Sequence, residues 1–161
     1  MPRYSIQNGK DVVTVKEEMD FISRYLQVML YRYGDRLRYS IDLEEGSRNV
    51  SIPRMTLQPI VENSIKYGFG EDRDCLEIRI STRIQNEVLS VIISDDGVGI
   101  RTELLEKLKA NLDQGQNQTD HIGIYNVHKR IRLVYGSGYG VGIDSEMEKG
   151  TAVRLRVNCE E

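Results

Sequence analysis

Three short stretches of the chain carry residues whose types and spacing suit chemistry. The first is Leu57-Gln58-Pro59-Ile60-Val61-Glu62-Asn63-Ser64-Ile65-Lys66-Tyr67. Wound as a helix at about 100° per residue, it gathers Leu57, Ile60, Val61, Ser64 and Ile65 in one core-facing sector. Asn63 and Lys66 then lie nearly opposite, about 60° apart, with Tyr67 on the flank beside Asn63. An amide oxygen is a neutral, hard ligand that suits Mg²⁺. An ammonium one turn away suits a phosphate. A plain solvated face would carry the same residue types, so this stretch decides nothing alone.

The second stretch is Asp95-Asp96-Gly97-Val98-Gly99, at the mouth of the apolar run 88–93. A carboxylate there can accept from the exocyclic amine of adenine, and glycines let the backbone approach a ring or take positive φ. An ordinary Asp/Gly turn would read the same way. The third is His121-Ile122-Gly123-Ile124-Tyr125-Asn126, a polar-loop-to-helix junction whose backbone N–H groups could face phosphate. His121 and His128 are isolated histidines and read more readily as surface or packing residues than as catalytic ones. There is no GxxxxGK[ST] and no HRD or DFG, which excludes P-loop and eukaryotic-type kinase chemistry. Gly136-Ser137-Gly138-Tyr139-Gly140 follows a helix and precedes a strand, so it reads as a turn.

The elements that must hold these stretches follow from periodicity. Thr14-Val15-Lys16-Glu17 is a capping box opening a helix over about 15–33, which Gly34 can end. Residues 38–43 alternate as a half-buried strand. Pro53 is expected to open a second helix running to about Tyr67, with Pro59 loosening or kinking its early turns. Strands over about 75–84 and 87–94 follow, with a turn at Gln85-Asn86. A short helix over about 101–110, a mobile polar loop over 111–120 and a helix over 122–135 come next. The last strands cover about 139–145 and 150–158. Short turns between successive strands imply antiparallel pairing. The expected architecture is a two-layer α/β sandwich, with helices on one face of a mixed, mostly antiparallel sheet.

The 161 residues suit one domain with a real core. A net charge of −3 gives no footprint for nucleic acid. No apolar run nears the ~20 residues that span a bilayer, and residues 1–5 do not lead into a signal-peptide apolar stretch. Cys75 and Cys159 show no metal-ligand spacing and suit reduced thiols in a cytoplasmic setting.

Taken together, VENSIKYG resembles the N box, DDGVGI the G1 box and HIGIYNVHKRI the G2 box of the Bergerat-fold ATPases. LQPIVENSIKYG, VTVKEEMDFISRYLQVMLYRYGDRLRY and YGSGYGVGIDSEMEKGTAVRL resemble sensor histidine kinases of the LytS/YesM type, so that the likeness runs from about Arg3 to Val157. The resemblance implies ATP and Mg²⁺ as ligands. It implies that Asn63 holds the Mg²⁺, that Lys66 and Tyr67 meet phosphates or sugar, and that Asp95 binds the adenine amine. Gly97 and Gly99 would shape the pocket, Ile100 would line it, and Thr151, after Gly150, would border it. Gly123 and Asn126 would close over the phosphates, and about 101–122 would be the lid. Glu62 remains a candidate base.

The resemblance further implies phosphoryl transfer to a histidine on a dimerisation helix, then to an aspartate of a response regulator. The parent protein is expected to be homodimeric and anchored in the bacterial cell membrane, with 1–161 as its single cytoplasmic ATP-binding domain and 1–35 as a linker helix. Arg3-Tyr4-Ser5 resembles the RYS after the phosphoacceptor helix, so that helix is expected upstream and this piece alone is expected to be inactive in autophosphorylation. His121 stands where the family usually has glycine, and Pro59 stands where hydrolytic relatives carry a water-activating glutamate. The alternative is a nucleotide clamp of the same fold, or an anti-sigma-type serine kinase.

Overall fold

The computed structural model describes residues 11–71, 73–115 and 121–159. Arg3-Tyr4-Ser5 and positions 116–120 of the expected loop lie outside them. The chain opens with strand β1 (Val12–Thr14) and helix α1 (Val15–Tyr33). The capping box forms as read: Thr14 Oγ1 accepts from the Glu17 N–H at 3.1 Å, and Glu17 accepts from the Thr14 N–H at 2.9 Å. Val15, Met19, Ile22 and Leu26 are the buried stripe of this helix, and Gly34 at φ 58 ends it.

Strand β2 (Leu37–Leu43) is followed by β3 (Ser51–Pro53), which pairs antiparallel with β1. Pro53 therefore closes a strand and does not open the next helix. At three residues each, β1 and β3 are too short for alternation to show in sequence. Helix α2 (Gln58–Gly68) starts later than expected, and Pro59 falls in its first turn. A missing N–H costs nothing there, because first-turn donors have no partner within the helix, so the expected kink has no cause.

Strands β4 (Leu76–Gln85) and β5 (Val88–Asp95) form a hairpin. Its turn residues are Asn86 and Glu87, at φ 54 and 63, one position later than expected. Two successive positive φ values are what a tight two-residue hairpin needs to match strand twist. Helix α3 (Thr102–Gln114) runs four residues past the expected end. Leu108 and Leu112 continue its apolar stripe, Asn111 is buried beside them, and Gly115 at φ 71 caps it. Helix α4 (Ile122–Tyr135) and strands β6 (Gly140–Glu146) and β7 (Gly150–Asn158) complete the chain.

The main sheet has the order β2-β4-β5-β7-β6. Only the β2–β4 pair is parallel. Ile78 and Ile80 of β4, Leu89, Val91 and Ile93 of β5, and Val153, Leu155 and Val157 of β7 point into one core with the helices. Arg79, Arg83, Arg154 and Arg156 alternate to the other face, exposed. One-sided burial is why the strands read as alternating. The outcome is the expected helix layer on a mixed, mostly antiparallel sheet. No helix of the described residues is long and apolar enough to cross a membrane. Cys75 and Cys159 are free thiols.

Candidate functional site

α2, the end of β5 and the start of β7 meet at one end of the sheet. They leave a narrow cleft, partly open to solvent. Its lining includes Asn63, Ser64, Tyr67 and Gly68 from α2, Asp95 from β5, and Gly99 and Ile100 from the segment after it. His121, Thr151 and Val153 complete it.

Asp95 is placed by the ladder: it sits opposite Thr151 on β7 and Ile78 on β4. Its carboxylate accepts from the Gly97 N–H at 2.9 Å, and the Thr151 backbone and the Ser64 hydroxyl also bond to it. Burial outweighs these bonds and pushes its pKa up to about 6. Asp96, one residue on, does a different job. Its Oδ1 accepts from the Glu77 N–H at 2.8 Å and its own N–H donates to the Glu77 carbonyl at 3.2 Å, which locks the ends of β4 and β5 together. The turn after Asp95 is built against backbone. A β-carbon at Gly97 would stand 2.4 Å from the Gly68 carbonyl oxygen. At Gly99, with φ +76, it would stand 2.1 Å from the Glu146 carbonyl oxygen. No side chain fits at either position.

On α2, Tyr67 is held between two groups. The His121 ring lies 4.2 Å from its centroid at a 31° tilt, and Lys66 Nζ stands 5.1 Å away. Lys66 itself is exposed and does not line the cleft. Glu62 does not line it either. It accepts from Gln58 Nε2 at 3.4 Å, and its charge acts on Tyr25 of α1, whose pKa rises first through burial and then through Glu62. Gly123 opens α4 against α2: a β-carbon there would lie 3.7 Å from Pro59 Cβ. Asn126 is exposed one turn further on. Of the residues singled out by sequence, the structure therefore gathers Asn63, Tyr67, Asp95, Gly99, Ile100 and Thr151 around one cavity. Gly97 lies directly behind Asp95. Glu62, Lys66, Gly123 and Asn126 stand outside the lining.

Four lining residues were not singled out as site residues: Ser64, Gly68, His121 and Val153. Ser64 was read as core-facing, and it is buried; its hydroxyl donates to the Ile60 carbonyl at 3.3 Å and, close to Asp95, also favours the ionised carboxylate. His121, 5 % exposed, packs on Tyr67, so a histidine read as surface or packing walls the cleft. Its position two residues before Gly123, at the head of the same short stretch, was the available signal. The other histidine is structural: His128 Nδ1 accepts from the Val141 N–H at 2.9 Å. Burial, then Arg132, lowers its pKa. The Tyr125 hydroxyl donates to the Gly115 carbonyl, tying the start of α4 to the end of α3.

Residues 49–161 match the family model described as histidine kinase-, DNA gyrase B-, and HSP90-like ATPase, and residues 1–37 match one described as histidine kinase. The chain is 32% identical over 157 residues to sensor histidine kinase YesM of Bacillus subtilis (strain 168), covering 98% of this chain and 26% of that protein. It is 29% identical to sensor protein kinase HptS of Staphylococcus aureus (strain USA300), covering 98% and 30%. The chain thus spans under a third of the length of these curated relatives. The catalytic domain of histidine kinase ThkA superposes with a TM-score of 0.69 at 13% identity, covering 92% of this chain and 95% of that one, which speaks to the fold alone.

Proposed function

The chain belongs to the histidine kinase-, DNA gyrase B- and HSP90-like ATPase family, as the ATP-binding catalytic domain of a sensor histidine kinase, and we propose that the whole protein uses this cleft to move the γ-phosphoryl of ATP to a histidine. The observation that carries the site assignment is Asp95: a carboxylate that lines the cleft with Asn63, Tyr67 and Thr151 and is held there at a cost in desolvation. A partly desolvated carboxylate with no cation among its named neighbours gains from a further donor, which the exocyclic amine of adenine would supply. The glycine turn behind it packs directly on the backbone of Gly68 and Glu146, which fixes the place of Asp95 at the cleft.

Asn63 fits a cation bound together with phosphates. Among the described residues no group of three or more His, Cys, Asp or Glu side chains could hold a metal ion. A divalent ion here would take most of its ligands from phosphate and water, as Mg²⁺ ordinarily does. The chemistry such an ion would supply when bound is to offset the charge of the phosphates. Asn63 would orient it through its amide oxygen. Lys66, free to swing from the exposed flank, and the N–H groups that open α4 at Gly123 would meet phosphate oxygens, with Asn126 closing behind them. Glu62, on the neighbouring face of α2, would take the proton of an attacking imidazole. Pro59 carries no acid or base, so water is not activated at that position. The catalysis is then mostly positioning and charge neutralisation: the bond from the γ-phosphorus to the ADP oxygen breaks as a phosphorus–nitrogen bond forms.

The acceptor histidine would lie on the dimerisation helix of the parent protein, the next acceptor would be an aspartate of a response regulator, and the parent would be a membrane-anchored homodimer. The test is radiolabelled ATP mixed with this chain, with and without a separate fragment carrying that helix. The chain alone should take up no label, and the fragment should gain acid-labile label in trans. Acid-stable label would indicate a serine kinase, and label on His121 or His128 would contradict the assignment of both as non-acceptors.

A further inference from the structure

Helix α2 carries Asn63, yet it has no cap of its own. Leu57 stands at the N-cap position without a side-chain bond, and the first turn holds no acidic residue. The cap comes from another helix. Glu18 of α1, 5 % exposed, accepts from the Met55 N–H on Oε1 at 3.0 Å and from the Leu57 N–H on Oε2 at 2.6 Å. A carboxylate in that place satisfies backbone donors and sits well against the positive end of the α2 dipole.

The same loop is held from the far side by α4. Arg130 donates to the Met55 carbonyl at 2.7 Å and to Thr56 Oγ1 at 3.1 Å, and the Thr56 hydroxyl donates to the Pro53 carbonyl. Met55 has φ 61, a left-handed conformation that a residue with a β-carbon keeps only when its surroundings impose it. Here its N–H is gripped by α1 and its C=O by α4. Arg130 lies about two helical turns beyond Gly123 on the same helix. α4 in turn rests on α2, since a β-carbon at Gly123 would touch Pro59.

We propose that Glu18 and Arg130 are positioning residues for the phosphate end of the cleft: by clamping the 54–57 loop between α1 and α4, they fix where α2 begins and so where Asn63 stands relative to Gly123. The proposal rests on the reading of the cleft as a Mg·ATP site. Neither residue touches the cavity, and Asp95 stands on the sheet, outside the clamp. Loosening the clamp should therefore disturb the phosphate and metal end while sparing the adenine end.

The test uses Glu18→Gln, which leaves one acceptor for two N–H groups, and Arg130→Lys, which keeps the cation but loses the two-pronged grip. ATP affinity is measured by calorimetry on the chain in excess Mg²⁺ and again in chelator. In both variants the gain in affinity given by Mg²⁺ should shrink about tenfold or more, as expected of a small displacement of a positioned group, while the affinity in chelator stays within about twofold of wild type. If Glu18→Gln does not melt cooperatively, Arg130→Lys carries the comparison. An unchanged Mg²⁺ gain, or parallel losses with and without Mg²⁺ that track the melting temperature, would overturn the proposal and leave the clamp a support of the fold. Wild-type chain that binds no ATP under either condition would instead remove the nucleotide reading beneath it.

Discussion

Replacing Asp95 with asparagine should raise the stability of the nucleotide-free domain and lower its affinity for ATP. Burial lifts the Asp95 carboxyl from 3.8 to about 6, against the bonds from Gly97, Thr151 and Ser64. The folded protein therefore holds this proton more tightly than the unfolded chain does. The stability linked to it is fully present below 3.8 and is lost as pH rises through about 6, so at neutral pH the ionised group is a net cost. A difference of that size corresponds to ~3 kcal/mol in full. Partial solvent access and relaxation reduce what a melt would show to ~1–2 kcal/mol, or about 2–8 °C. Asparagine carries no charge to desolvate and keeps the Oδ1 that accepts from Gly97 at 2.9 Å. It also turns an amine toward the adenine amine, and losing a charge-assisted hydrogen bond there should cost about 10- to 150-fold in Kd. The assay is thermal melting of both proteins from about pH 4 to pH 8, the window across which the linkage acts, with ATP titrations at the upper end. The stability advantage of the variant should be largest at neutral pH and vanish toward pH 4. A variant that melts below wild type at neutral pH, or an advantage that does not change with pH, would refute the reasoning.

The neighbouring residues give sharper contrasts. Asp96→Asn keeps an Oδ1 for the Glu77 N–H and loses only the charge on that acceptor, so it should cost up to ~1.5 kcal/mol of stability and leave ATP affinity nearly intact, as calorimetry beside Asp95→Asn would show. Asn63→Ala removes a side chain that lines an open cleft, so melting without nucleotide should shift by less than ~1 kcal/mol. The same variant should lose the Mg²⁺-dependent part of ATP binding and give no label on an acceptor fragment.

Much of the fold was legible because one-sided burial writes itself into sequence. The stripe of α1, the capping box at Thr14 and the alternation of β7 are all consequences of a single buried face, and their boundaries came out close to those observed. The misreadings share a physical origin. Pro53 suits both the start of a helix and a short edge strand, and only its partner Val12, forty-one positions earlier, decides between them. Residues 111–114 look polar in sequence, yet Leu112 and the buried Asn111 carry α3 another turn because they pack on the rest of the domain, which no local window reports.

The site divides along the same line. That Asn63, Asp95 and Gly99 would come to one cleft was legible because each sits in a short stretch whose residue types carry its own chemistry. Ser64 was hidden in the core-facing stripe, since a hydroxyl serving Asp95 and a small residue filling a core have the same periodicity. Glu18 was hidden more thoroughly. In sequence it is one of two adjacent glutamates in the first turn of a capped helix, where an acid is already favoured by the dipole. Glu17 answers to that local demand by closing the capping box with Thr14, whereas Glu18 faces inward and caps a different helix through Leu57, thirty-nine residues away. Adjacent, identical side chains on a helix differ by about 100° in direction, and that angle alone separates a local cap from a group that sets the start of the helix bearing Asn63.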